Sequence, residues 1–366
     1  MTESNSRRSN ALVSFAAVIV IVFGMQAAKV LLVPFLLAVF LALIALKPMF
    51  WLQKFKIPSA LAALLIVVAM MLIIGTVGGI VGSSIAEFTA ALPIYQERLD
   101  GIVQRTLDLA ARTLGDDRSF ADLGDLIDPG WAMGLAARIL NGLQDVLTNA
   151  FLILFTMVFI LLEASSMRVK VQAAFGRAAE TFERPREFLN NLGRYLGIKT
   201  IVSMATGLTA TLLTWWVGLD FPLLWGMLAF LFNYVPTIGS IIAAVPAVLM
   251  ALVQFGPAEA GTTAIGFAAI NVLYGNAIEP RLMGYGVGIS PLVVFTGLIF
   301  WGWIFGPVGM LLSVPLSMTL KMALESNERT RWIAILIGSE RDAEHALAQS
   351  MSDDAPDGQD SASKAA

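Results

Sequence analysis

Residues 271–321 read NVLYGNAIEPRLMGYGVGISPLVVFTGLIFWGWIFGPVGMLLSVPLSMTLK. The stretch is almost wholly apolar, yet glycine and proline interrupt it repeatedly, and Glu279 and Arg281 flank Pro280 inside it. A chain in hydrocarbon finds no water for its backbone N–H and C=O groups, so it must satisfy them internally. Helix breakers at membrane depth survive only where protein or a water-filled cavity takes over the freed groups. Broken helices of this kind are the usual binding elements of secondary transporters. The rest of the chain reads as the frame for this element and for a partner similar to it.

That partner is Pro222 to Leu252, PLLWGMLAFLFNYVPTIGSIIAAVPAVLMAL, which aligns with the run from Pro291 to Lys321. Each opens with Pro-Leu. Each breaks in the middle, at Asn233 to Gly239 or at Gly306-Pro307-Val308-Gly309. Each carries Val-Pro at the same offset, since Pro246 lies 24 residues beyond Pro222 and Pro315 lies 24 beyond Pro291. Halves of about 13–16 residues span roughly 20–24 Å as helix, the length of a half-membrane leg. Two arrangements fit: opposed re-entrant hairpins whose tips meet near the midplane, or ordinary kinked spans.

Composition agrees with a membrane chain. Of 366 residues, 57% are hydrophobic and 14% charged, against about 25% charged in soluble domains; mean hydropathy is +0.76. The net charge of −3 gives no reason to expect a nucleic-acid partner. There is no cysteine, and the single histidine, His345, lies in the polar tail. Disulfides, thiol catalysis and an intramembrane zinc site or His-based triad are therefore excluded. No nucleotide-binding loop, His-Glu-x-x-His or Gly-x-Ser-x-Gly is present, so neither a cofactor nor catalysis is expected.

Along the chain the expected organisation is a polar N-terminus over 1–10 and membrane helices over 11–84. Amphipathic helices over 85–145, a transport core over 146–325 and a largely disordered tail over 326–366 follow. Residues 11–25 and 30–46 read as two short helices and 59–84 as a third span. Gly75, Gly78, Gly79 and Gly82 on that span suit close helix packing. Lys47, Lys54 and Lys56 mark a basic loop. The 85–145 segment carries five basic and ten acidic residues. Its apolar stripe through Ile85, Phe88, Leu92 and Leu99 implies a surface helix or one packed on neighbouring subunits. Residues 163–199 carry seven Lys/Arg against four Glu. The excess of Lys/Arg places the N-terminus, the 47–56 loop, 163–199 and the C-terminus in the cytoplasm, and 85–145 outside. On the span 198–218, Thr200, Ser203, Gly207, Thr211 and Thr214 share one face, as a helix contact or a pathway wall. Trp215, Trp216 and Trp225 suit an aromatic belt.

The motifs Phe232-Asn233-Tyr234-Val235-Pro236-Thr237-Ile238-Gly239, Glu279-Pro280-Arg281-Leu282-Met283-Gly284, Ser290-Pro291 and Trp301-Gly302-Trp303-Ile304-Phe305-Gly306-Pro307-Val308-Gly309-Met310, in this order, resemble the autoinducer-2 exporter family of bacterial permeases. Ser240 departs from the proline many members carry there. The resemblance covers about residues 10–325. It implies an all-α polytopic fold of about eight membrane segments, an inner-membrane location and homo-oligomers, pentamers among them. Its members export small solutes such as autoinducer-2 or exchange sodium and protons.

Among site residues Glu279 is the leading candidate, because acids inside membranes mark function by default; a structural pair with Arg281 is the competing reading. Asn233, Asn271 and Asn276 could hold a hydroxylated solute or cap broken helices. Trp301 and Trp303 could wall its path. Pro236, Gly239, Gly306, Pro307 and Gly309 would shape the hinges. The functional readings are a permease for a small polar solute, a cation/proton antiporter using Glu279, and an oligomeric channel or scaffold.

Overall fold

The computed structural model describes residues 2–114, 148–175, 183–236, 238–283 and 288–340, with residues 134, 343, 344 and 347 in isolation. Among these residues all regular structure is helical. Helices α1 (Thr2–Ala27) and α2 (Lys29–Gln53) meet at Ala28. They are 26 and 25 residues long, about 38 Å each. The two short helices expected over 11–25 and 30–46 are thus full-length, and helix α1 includes most of the polar N-terminus. The basic loop is also shorter than expected. Lys47 is helical, and the chain leaves helix only at Lys54, with Lys56 in the left-handed region at φ 64°.

Helix α3 (Ser59–Leu114) runs 56 residues without a break at 84/85. At about 84 Å it exceeds any bilayer. The change at residue 85 is one of surface chemistry, not of backbone. Val81, Ile85, Phe88, Tyr95 and Leu99 are buried on one stripe against Leu219, Leu224 and Trp225. The Phe88 ring stands edge-on to Trp225 at 5.9 Å. Up to Leu99 the amphipathic stripe therefore finds its partner within the chain, rather than on a lipid surface or another subunit. The Gly/Asp-rich sequence from Gly115 to Gly130, which reads as a loop, lies outside the described residues. Gly75, Gly79 and Gly82, expected to seat a neighbouring helix, have no atom within 4 Å of an added Cβ.

Helix α4 (Ala150–Phe175) packs on α2 and α3. Helix α5 (Glu183–Val217) joins the end of the basic 163–199 segment and the expected span at 198–218 into one element. The basic 163–199 segment is therefore, in its described part, the C-terminal end of α4 and the N-terminal end of α5.

The two similar stretches are helical hairpins, not kinked spans. In the first, α6 (Pro222–Phe232) has Pro222 in its first turn, and α7 (Gly239–Phe255) returns. Its ends are tied, since the Asp220 backbone N–H donates to Gln254 Oε1 at 3.2 Å and Gln254 Nε2 donates to Asp220 Oδ2. At the tip, Val235 N–H reaches back to Phe232 O at 2.8 Å. A Cβ on Gly239 would lie 1.8 Å from the same oxygen. Only glycine permits so close a return. Gly239→Ala is expected to lower the thermal unfolding temperature through overpacking worth about 1–3 kcal/mol; an unchanged melting curve would show that the tip relaxes freely.

A continuous rod leaves the first hairpin. It consists of α8 (Pro257–Asn271), a π-helix (Val272–Ile278) and α9 (Glu279–Met283). The second hairpin follows as α10 (Pro291–Phe305), α11 (Pro307–Leu311) and α12 (Ser313–Glu325). Gly306 makes the bend at φ 69°, and a Cβ on Gly309 would lie 1.9 Å from Trp301 O. Lys321 Nζ donates to Gly288 O at 2.8 Å, tying the return leg to the hairpin's start. Helix α13 (Arg331–Ile337) packs on α12, and Ser290 N–H donates to Ile337 O at 3.1 Å. The beginning of the expected disordered tail is therefore folded onto the hairpin base.

Three described helices contain segments long and apolar enough to cross a membrane: Lys29–Gln53, Ser59–Thr106 and Phe188–Val217.

Candidate functional site

Helix α5 and the rod α8–π–α9 run antiparallel. Leu213 lies against Gly266, Thr209 Oγ1 and Tyr274 OH are 2.9 Å apart, and Lys199 meets Glu279. The first hairpin lies along α5 as well. A Cβ on Gly226 would come within 2.6 Å of Gly207 O, so the two backbones touch there. At the tip, Asn233 Nδ2 donates to Ser203 Oγ at 2.9 Å, and Tyr234 OH donates to Thr200 Oγ1 at 2.8 Å. The stripe of small polar residues on α5 is thus a helix contact. Its hydroxyls also return bonds to their own helix, as from Thr211 to Gly207 O and from Thr214 to Ala210 O.

The centre of this region is an ion pair. Lys199 Nζ lies 2.6 Å from Glu279 Oε1 and 2.7 Å from Oε2. The two side chains are only 7% and 17% exposed. The partner of Glu279 is therefore Lys199, not Arg281, whose side chain is exposed. Pro280 explains the local backbone. Proline lacks the N–H of an i→i−4 bond, and its ring clashes with the carbonyl four residues back. The helix ahead of it widens instead, and the Glu279 N–H donates to Tyr274 O, five residues back. Such π-turns occur often at functional sites. Here the turn places an acid on the rod opposite a lysine of α5.

The other candidates separate into groups. Asn233 joins α5 beside this pair, while Asn271 is half-buried and Asn276 exposed. Trp301 belongs to the second hairpin, where its Nε1 donates to Ser317 Oγ at 3.1 Å and its ring stacks on Phe305 at 6.0 Å. Trp303 is exposed and edge-on to Phe23 of α1 at 6.2 Å. Trp225 is not a belt residue. It is fully buried and donates to Asp220 O at 2.7 Å, whereas Trp215 and Trp216 are exposed. Both hairpin tips pack on α2. The Tyr234 ring is 5.5 Å from Phe40, and Val33 and Leu36 pack against the cluster formed by Trp301, Ile304 and Phe305. Among the described residues no group of three His, Asp or Glu could hold a metal.

Lys199 is the residue that sequence reasoning missed, because it was counted as the last cation of a basic surface segment. Its position among Gly197, Ile198, Thr200 and Ile201, already inside an apolar run, was the available signal.

Two helical hairpins folded against long apolar helices, with an ion pair held between two of those helices, define a class: multi-pass membrane permeases. The comparisons narrow it. The model of a family described as AI-2E family transporter matches residues 15–329, and the chain belongs to this family of membrane transporters. It is 38% identical over 323 residues to the AI-2 transport protein TqsA of Escherichia coli K12, covering 87% of this chain and 92% of that one. A putative transport protein of Haemophilus influenzae is 36% identical over 345 residues, 93% and 99% of the two chains. The putative transport protein YhhT of Escherichia coli K12 is 31% identical over 333 residues, 90% and 94%.

Proposed function

We propose that the chain exports a small polar solute, autoinducer-2 being the one its TqsA relative is named for, along a path bounded by α5, the π-turn and the first hairpin. The carrying observation is the Lys199–Glu279 pair. Removing two charges from water costs several kcal/mol per ion, and apolar side chains would hold the helices together without that cost. Alongside it, the Asn233–Ser203 and Tyr234–Thr200 bonds that join the first hairpin to α5 hold donors and acceptors which, when that contact opens, suit a hydroxylated solute. No chemical step on the solute is assigned. Alternating access then moves the hairpins against the frame of α1–α3.

The same pair favours a second reading, sodium or lithium exchange for protons. A carboxylate neutralised by an ammonium can exchange that partner for a metal cation or a proton. Purified protein in liposomes separates the two. Under the export reading, Glu279→Gln should reduce solute counterflow about tenfold or more. Only the antiport reading requires sodium-driven proton movement in the parent protein and its loss in the variant. Full transport by Glu279→Gln with unaltered pH dependence would remove the acid from both.

Within this reading both termini are cytoplasmic and residues 85–145 face outside, following their opposite charge balance. The absence of cysteine makes single-Cys labelling clean. A Cys at 116 should react with an impermeant maleimide from the outer side, and reaction from the cytoplasmic side alone would invert the topology. The open Gly75–Gly82 face and residues 100–106 of α3, none of them buried, leave surface for a homo-oligomer, a pentamer in the family resemblance. Deleting 97–125 should lower the number of copies seen in native mass measurements, and an unchanged oligomer would count against this surface.

A further inference from the structure

An open, shallow surface hollow of about 540 Å³ lies at the end of α2, lined by Lys47, Pro48, Phe50, Trp51 and Lys54. We propose that it binds the headgroup and upper acyl chain of one anionic phospholipid. Lys47 and Lys54 are seven residues apart, two helical turns, so they project from one face. Phe50 and Trp51 lie between them, 49% and 57% exposed.

Neither lysine forms an ion pair among the described residues, although charged groups elsewhere in the fold do. Lysines at a helix C-terminus are favoured by the helix dipole, which accounts for Lys54 alone. Lys47 lies two turns earlier and is positioned by packing. Its Nζ comes within 3.0 Å of where a Cβ on Gly197 would sit, so the absence of that Cβ leaves room for the ammonium at the α2–α5 seam. Two ammonium groups flanking an apolar, aromatic floor complement a phosphodiester with its hydrocarbon. A zwitterionic headgroup brings its own cation and fits less well. Aromatic rings and basic side chains are the pairing found at membrane interfaces.

The test uses the full-length protein, delipidated and studied by native mass spectrometry with phosphatidylglycerol or phosphatidylcholine of identical chains. The parent should retain phosphatidylglycerol preferentially. A lysine near an anionic membrane surface is worth about fivefold in binding, so Lys47→Gln should weaken phosphatidylglycerol retention about fivefold and Lys47→Gln/Lys54→Gln more than tenfold. Phosphatidylcholine retention should stay unchanged in both. Both substitutions are on exposed side chains, and unfolding temperatures check that the fold is intact. Trp51→Ala should weaken both lipids alike. Equal retention of the two lipids by the parent, or an undiminished preference in the double variant, overturns the proposal. So does a changed oligomer mass with unchanged lipid preference, because the hollow would then face a second copy of the chain.

Discussion

Lys199→Met should cost about 3–5 kcal/mol of stability and abolish transport, because it strands the Glu279 carboxylate between α5 and the π-turn. Breaking a buried pair by removing one partner is expensive, since the remaining charge has lost its counterion and cannot regain water. The two side chains are 7% and 17% exposed, so solvent compensates little. Glu279→Met should cost a similar amount by stranding the ammonium. The informative protein is the double variant Lys199→Met/Glu279→Met. Replacing both ions by apolar groups of similar volume is often neutral or stabilising, so its unfolding temperature should return close to the parent's. A pair that only joins helices would then permit transport as well. A pair that carries the function leaves the double variant stable and inactive, which is the expected result. Stability measured in detergent and counterflow in liposomes separate the two. Recovery of both together would reduce the pair to a structural tie.

How much of this was legible in the sequence depended on the range over which each signal acts. The hairpins could be read because breakers act locally. Pro222 and Pro291 open the descending legs, and Gly306 sits where φ is positive. Gly239 and Gly309 lie where a side chain would strike a carbonyl. What converts two breaks into two hairpins is less local. Asp220 reaches Gln254, and Lys321 reaches Gly288, across a gap of 34 or 33 residues. The Lys199–Glu279 pair is 80 residues apart in sequence, and its existence depends on the register between α5 and the rod. No periodicity within either segment reports that register. The π-turn had a local cause, Pro280 inside an apolar helix, but proline predicts a disturbance rather than its form. The length of α3 was hidden for the opposite reason. Its surface changes from apolar to amphipathic at residue 85, and that change resembles a boundary although nothing there breaks the backbone.

Cross-linking the first hairpin to α2 should stop transport, and this result tests the moving part directly. The Tyr234 and Phe40 rings are 5.5 Å apart, edge to face, and both residues lie in the buried cluster that also includes Val308 and Leu312 of the second hairpin. Helix α2 therefore serves as a common wall for both tips. If alternating access requires the hairpins to slide or rock against that wall, the contact must break in each cycle. The chain has no cysteine of its own, so Phe40→Cys/Tyr234→Cys creates a single pair. A short cleavable bis-thiol reagent should join the two sites within one chain. Counterflow should fall more than tenfold and recover on cleavage, while the uncross-linked double variant keeps measurable transport. A second pair, Trp301→Cys with Leu36→Cys, two residues of one packed apolar cluster, would hold the other hairpin to the same helix. Inhibition by the first cross-link alone would make the first hairpin the moving element and the second part of the frame. Full transport with both cross-links in place would mean that neither tip leaves α2. The motion would then have to occur between α5 and the rod, where breaking the Lys199–Glu279 pair would itself be the gating step.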